Sequence, residues 1–318
     1  MKHLRTISAL IVLLGLLSAA LPVSLVSAAV EVCFVDADAI GANNGTSWAD
    51  AFADLQSALG ASPCTEVWVA AGTYVPATTI SRTATFQLKN GVSIYGGFLG
   101  TESNRNERDP NNNVTILSGE FGTPDNYYDN VYHVVTGSFT DNTAVLDGLT
   151  VTGGIADGNP YPKDSGAGIY NYQGDPTLIN IIFTNNRAIF GGGMYNHSSN
   201  PVLINVTLDN NTTPNGAGGG IYNQFSDPIL TGVTISNNTA DGTGGMYNND
   251  SDPVLTNVVF IGNIFWLDLV VKENGLLSWW WQLCSRPEEM RLAMFAWLDV
   301  AAALMLAWPE AAAAWVLV

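Results

Sequence analysis

The chain has 318 residues, enough for one large domain or two ordinary ones. Its 11 basic residues stand against 28 acidic ones, a net charge of −17. That argues against nucleic acid and anionic lipid as partners, because both demand a basic face.

Residues 1–29 read as a signal peptide. Lys2 and Arg5 give a positive start, residues 7–20 are apolar, and Val26-Ser27-Ala28 or Ser27-Ala28-Ala29 offers small residues for cleavage. Export to the extracellular space or the outer cell surface is therefore expected. An oxidising compartment makes Cys33 and Cys64 a disulfide candidate, two separate buried thiols being the alternative. His3, His133 and His197 are scattered, and no Cys/His cluster has metal-site spacing.

Residues 30–65 are expected to form an N-terminal cap. Trp48, Phe52, Leu55 and Leu59 recur at helical steps, Ser47 and Asp50 resemble a capping box, and Gly60 is a natural stop, which predicts a helix over 46–60. A strand follows over 66–74. From 84 to 154 strands are predicted at 85–88, 92–95, 114–117, 131–135 and 146–152, between turns rich in Gly, Asn and Asp. Two longer loops interrupt them. One, 100–113, carries Arg105, Glu107, Arg108 and Asp109; the other, 122–130, carries Asp125, Tyr127, Tyr128 and Asp129.

From 166 to 263 the chain repeats itself. Ile169-Tyr170-Asn171 returns as Met194-Tyr195-Asn196, Ile221-Tyr222-Asn223 and Met246-Tyr247-Asn248, at steps of 25, 27 and 25 residues. Each Tyr is followed 16 residues later by Asn186, Asn211, Asn238 or Asn263. Four columns stay apolar. Besides the residue before each Tyr, they are Leu178, Leu203, Leu230, Leu255; Ile181, Val206, Val233, Val258; and Phe183, Leu208, Ile235, Phe260. Fixed self-similarity means stacked units. Several short strands in about 25 residues suit one coil of a parallel β-helix better than a propeller blade or a leucine-rich horseshoe. The fold class expected is thus all-β: a right-handed parallel β-helix over 66–263, in which the Asn columns stack as amide ladders about 4.8 Å apart.

The copies resemble the repeats of polymorphic outer-membrane proteins, within the pectin-lyase-like class of β-helices. That family alternates a Gly-Gly-apolar motif with Phe-x-x-Asn. Here Gly192-Gly193-Met194, Gly219-Gly220-Ile221 and Gly244-Gly245-Met246 carry the first, and Phe183 to Asn186 and Phe260 to Asn263 the second. Leu208 and Ile235 replace Phe in the middle copies. The resemblance implies a surface or extracellular protein; it also raises polysaccharide lyase and glycoside hydrolase chemistry, since enzymes share the fold.

Those lyases use a basic residue beside acidic calcium ligands, and the hydrolases use clustered carboxylates. Between 144 and 263 the only Lys and Arg are Lys163 and Arg187, and Glu is absent. Asp175, Asp227 and Asp252, each followed by Pro, occupy one recurring turn position. They read first as turn formers and second as a calcium ladder. Tyr170, Tyr195, Tyr222 and Tyr247 neighbour inward residues and are expected to point outward, as stiffening stacks or as a sugar platform. No catalytic residue is assigned, and calcium is the one cofactor considered. The expected role is a non-catalytic adhesive or structural protein, with a lyase or hydrolase and a carbohydrate-binding module as alternatives. Cell-surface carbohydrate, or the surface of a host or neighbouring cell, is the expected partner; membrane association is expected only through the tail or an external anchor.

Residues 264–318 break the pattern. Residues 166–263 hold seventeen Asn and fifteen Gly, whereas the tail holds one of each and seven of the chain's nine Trp. A membrane helix over 292–308, a helical cap and a coding accident compete, and the abrupt change of composition favours the last.

Overall fold

The computed structural model describes residues 31–265, apart from 62, 78, 80, 124 and 125. The expectations for the signal peptide, for Asp125 and for the tail beyond Phe265 lie outside the described residues.

One coil shows how the sequence writes the fold. Ile169–Tyr172 forms a first strand, Thr177–Ile179 a second, Ile182–Thr184 a third and Arg187–Ala188 a fourth. Met194–His197 then begins the next coil beside the first strand, in parallel and in register. Repeated along the chain, this gives four all-parallel sheets of six, eight, seven and five strands. The protein is a right-handed parallel β-helix.

The bends between strands decide where the repeat can turn. Asn180, Asn205, Gly232 and Asn257 hold one bend, and Asn185, Asn210, Asn237 and Gly262 the next, all with φ between 51° and 65°. That left-handed backbone is costly for most L-residues, while Asn and Gly adopt it readily. This is why two columns of the repeat interchange Asn with Gly.

Inside, the apolar columns meet. Leu178, Leu203 and Leu230 pair in register, as do Phe183, Leu208 and Ile235, and all are fully buried with Ile181, Val206 and Val233. The last described coil differs: Leu255 is 45% and Phe260 37% exposed. The ladder does not stop at Asn263, since Ile264–Phe265 still pairs with Thr239–Ala240.

Two Asn ladders run through the interior. In one, Asn186 donates to Asn211 at 3.1 Å, Asn211 to Asn238 at 3.0 Å and Asn238 to Asn263 at 3.0 Å. The second joins Asn171, Asn196, Asn223 and Asn248 through amide bonds of 2.8 Å. A carboxamide carries both donor and acceptor, so one residue type repeated along a stack satisfies itself.

The N-terminal end is closed differently. Val32–Val35 extends the eight-stranded sheet by pairing with Glu66–Ala70, and a Cys33–Cys64 disulfide staples this segment. The helix is only Leu55–Gly60, not 46–60; Asp54 is its N-cap and accepts from the Ser57 amide. Ser47 and Asp50 do pair, but in a turn ahead of the helix. Residue 52 is held extended, because the Phe52 amide donates to Phe34 O at 2.9 Å. Leu55, Ala58 and Leu59 are buried beneath the helix and cover this end of the core.

In the irregular coils the strands fall at Phe86–Gln87, Ser93–Phe98, Thr115–Ser118 and Val135–Thr136. The single strand expected over 146–152 is two, Val145–Asp147 and Thr150–Thr152, bent apart at Gly148 with φ 78°. These are therefore further coils of the same kind, lengthened by loops.

Candidate functional site

The first sheet places Tyr170, Tyr195, Tyr222 and Tyr247 in one register column. Alternation along each strand turns them away from the core, and their rings stack at centroid distances of 5.7, 5.3 and 4.8 Å. The column is roofed at one end. Tyr161, from the 157–165 loop, lies edge-on to Tyr170 and Tyr195, and its hydroxyl meets that of Tyr170 at 2.6 Å. Tyr170 and Tyr195 are consequently only 6% and 3% exposed, and burial pushes both phenols well above their ordinary pKa. His133 packs against Tyr170 from the other side. Burial lowers its pKa to about 4, so it is neutral, and Nδ1 donates to Gly166 O. The rings of Tyr170 and Tyr195 serve each other, then, before they serve a ligand.

Two residues further along the same strands is an open aromatic row. Tyr172 and His197 are register partners with rings 5.2 Å apart. Phe139 abuts Tyr172 at 5.5 Å, and Phe225 abuts His197 at 6.0 Å. Tyr161 reaches the row as well, its hydroxyl 3.4 Å from His197 Nδ1. Phe139 is 69%, Phe225 54% and Tyr161 46% exposed. Large rings standing in water beside a sheet are the informative kind of exposure.

Their backbone adds a second signal. Phe139 and Phe225 have φ of 61° and 51°, a left-handed conformation that is an outlier for a bulky residue. The corner that holds Phe225 holds Gln173, Ser198 and Asp250 in neighbouring coils, all left-handed. The corner is thus left-handed in every coil whatever it carries, and Phe225 sets a bulky ring where the neighbouring coils have polar side chains. The repeat itself offered this clue: an aromatic departs from a polar corner column.

The other candidate residues take structural places. Asp175 Oδ1 accepts from the Asn200 amide, Asn200 Oδ1 from that of Asp227, and Asp227 Oδ1 from that of Asp252, at 2.5–2.6 Å. One lone pair on each is thus committed to stitching a turn to the next. Among the described residues no group of three His, Cys, Asp or Glu side chains is placed to hold a metal ion.

The 100–113 loop is strapped to the sheets by its arginines. Arg108 forms a largely buried ion pair with Asp147 at 2.6 Å and donates to Gly96 O, while Arg105 pairs with Glu66 at 2.8 Å and lies over the Tyr95 ring. Glu107 and Asp109 bond within the loop, and hydrogen bonds from neighbouring side chains and amides hold both carboxyls below their usual pKa. Beneath the loop is a cleft of about 430 Å³, lined by groups including Asn106, Arg108, Thr150 and Asn180. In the 122–130 loop Tyr127 and Tyr128 are exposed, and Asp129 accepts from Thr123 and Asn126.

In comparisons with known proteins the chain matches no family model, no curated protein and no solved structure.

Proposed function

We propose that the chain is an exported, non-catalytic adhesive β-helix that grips surface glycan along the row Phe139, Tyr172, His197 and Phe225. The observation that carries the reading is the row itself, one ring per coil: Tyr172 and His197 stand half-buried at the ends of first-sheet strands, and Phe139 and Phe225 stand exposed at the corner beside them. The negative face of an aromatic ring attracts the C–H groups on the flat side of a pyranose, and His197 and Tyr161 add polar atoms at the edge. Pre-organised rings lose little entropy on binding. The signal-like N-terminus and the resemblance of the repeats to polymorphic outer-membrane proteins support a place at the cell surface. A net charge of −17 repels polyuronates such as pectin or alginate, so the glycan is neutral or aminated.

The test is titration calorimetry with neutral and aminated oligosaccharides. Removing one ring face takes away roughly 55 Å² of apolar contact, about 1.4 kcal/mol, or tenfold in affinity. Tyr172→Ala and Phe225→Ala should each show that loss, and neither unsaturated nor reducing sugar should be released. Binding untouched by the double variant overturns the glycan row. Turnover above a heat-killed control, abolished by one Asp or Arg substitution, overturns the non-catalytic reading.

A further inference from the structure

The structure assigns a second, unrelated site to the neck of the 120–130 loop, where we propose that a calcium ion binds. The loop leaves the third sheet after Thr115–Ser118 and is pinched shut behind itself: the Val131 amide donates to Gly119 O at 3.1 Å, and that of Gly119 to Thr152 O at 2.7 Å. Glu120 and Asn130 face each other across this neck, Asn130 Nδ2 lying 3.3 Å from Glu120 Oε2. Asp129 immediately precedes Asn130.

Of the five buried side-chain oxygens that lack a partner among the described residues, three belong here: Glu120 Oε1, Asp129 Oδ1 and Asn130 Oδ1. All three are acceptors. Asn130 is 1% exposed, and its orientation is fixed by its amide nitrogen, which donates to Gly153 O at 2.8 Å as well as to Glu120. Both neighbours of that nitrogen are acceptors, so the amide cannot flip, and Oδ1 is left without a donor. Arg82, the guanidinium that reaches Asn130 O, is committed to Asp157 at 2.6 Å.

Buried oxygen acceptors without donors, two of them carboxylate, are costly alone and suit a hard cation. Calcium accepts carboxylate and amide oxygens together in flexible geometry, whereas magnesium demands a stricter octahedron and keeps its water. Binding would tie Glu120 to Asp129 and so fix the loop that carries the exposed Tyr127 and Tyr128. The site is distinct from the Asp175, Asp227 and Asp252 column.

The experiment uses the full chain, stripped with chelator. Calcium is titrated by calorimetry, and terbium by luminescence excited through tyrosine. One calcium per chain is expected, displacing terbium, with at least a tenfold weaker Kd in Glu120→Gln and in Asp129→Asn and no change in Asp252→Asn. Far-UV circular dichroism checks each fold, and Asp129→Asn carries the test should Glu120→Gln misfold. A chain that binds no calcium overturns the proposal. So does binding that survives both neck substitutions, or that Asp252→Asn weakens.

Discussion

Replacing Asn211 with Leu asks what the interior ladder contributes. Asn211 is fully buried and works in both directions. Its Oδ1 accepts from the Asn186 amide and from Asn186 Nδ2, both at 3.1 Å. Its Nδ2 donates to Phe183 O at 2.9 Å and to Asn238 Oδ1 at 3.0 Å. Leucine removes all four, together with a longer contact from Nδ2 to Asp209 O at 3.2 Å that shares one of the two amide protons. Asn186 Nδ2 still reaches Val151 O, and Asn238 Oδ1 still accepts from the Asn211 amide. The Asn186 N–H loses the side-chain acceptor it had. A buried orphan costs about 2 kcal/mol and each further lost bond about 1, so about 5 in all, less about 1 returned by the apolar side chain. About 4 kcal/mol is a large part of a domain's usual 5–15. Asn211→Asp keeps the shape yet also fails, because the second carboxyl oxygen would face acceptors at Phe183, Asp209 and Asn238.

The assay is urea unfolding followed by far-UV circular dichroism, with hydrogen exchange at the Asn186 amide. Solenoid stability is a sum of neighbouring coils, so protection should fall first around 186–211. The comparison is Thr231→Ala on the exposed surface. If Asn211→Leu shifts the midpoint no more than Thr231→Ala does, the ladder adds nothing to stability and the reasoning is wrong.

Leu203→Ala should cost 2–5 kcal/mol by emptying a fully buried position, while the neighbouring Val202→Ala, on the outward side of the strand, should cost under about 1; equal urea midpoints would refute the inward register. His133 should make the fold acid-sensitive. Its folded pKa, about 4, lies below the unfolded 6.5, so the unfolded chain binds the extra proton between those values. The stability it contributes, on the order of 3 kcal/mol, is present above pH 6.5 and lost as pH falls toward 4. His133→Gln should flatten that part of the stability–pH curve relative to the parent, and an unchanged slope would refute it.

The regular coils were readable because inward columns tolerate only apolar residues and bends tolerate only a few types. Three or four copies side by side separate what each position requires from what it happens to hold. Before residue 155 no such comparison is possible: the 100–113 and 122–130 loops shift the period, so Gly148 went unnoticed as a bend. Trp48 and Phe52 fell at helical spacing for another reason. Trp48 packs on Phe34 and Phe98 across strands, and Phe52 is tied to the Phe34 backbone. The Tyr column was legible in direction but not in exposure, since its roof, Tyr161, comes from a segment outside the repeat. Phe225 was legible in principle as an aromatic in a polar corner. The Asn171 column was legible as a ladder from its recurrence in the Tyr-Asn string, whereas its place inside the coil had to be read from burial.

Phe225 offers a way to separate a residue kept for binding from one kept for the fold. It holds a left-handed backbone, its amide bonds to Asn249 O at 2.9 Å, and its ring stands 54% exposed beside His197. Left-handed backbone costs a residue with a side chain about 1–2 kcal/mol, and glycine escapes that cost while giving back about 0.5–1 through the freedom of its unfolded chain. Phe225→Gly should therefore stabilise the protein, by up to about 1 kcal/mol, although it deletes an aromatic contact. Ser198→Gly, at the same corner one coil earlier with the same φ of 51°, should stabilise similarly. The two part in their effect on glycan: Phe225→Gly should weaken it about tenfold, Ser198→Gly not at all. Stability gained with binding lost is the pattern of a strained functional residue. A Phe225→Gly protein that melts earlier than the parent in urea would mean that the ring supports the fold, and the case for the aromatic row would lose its second signal.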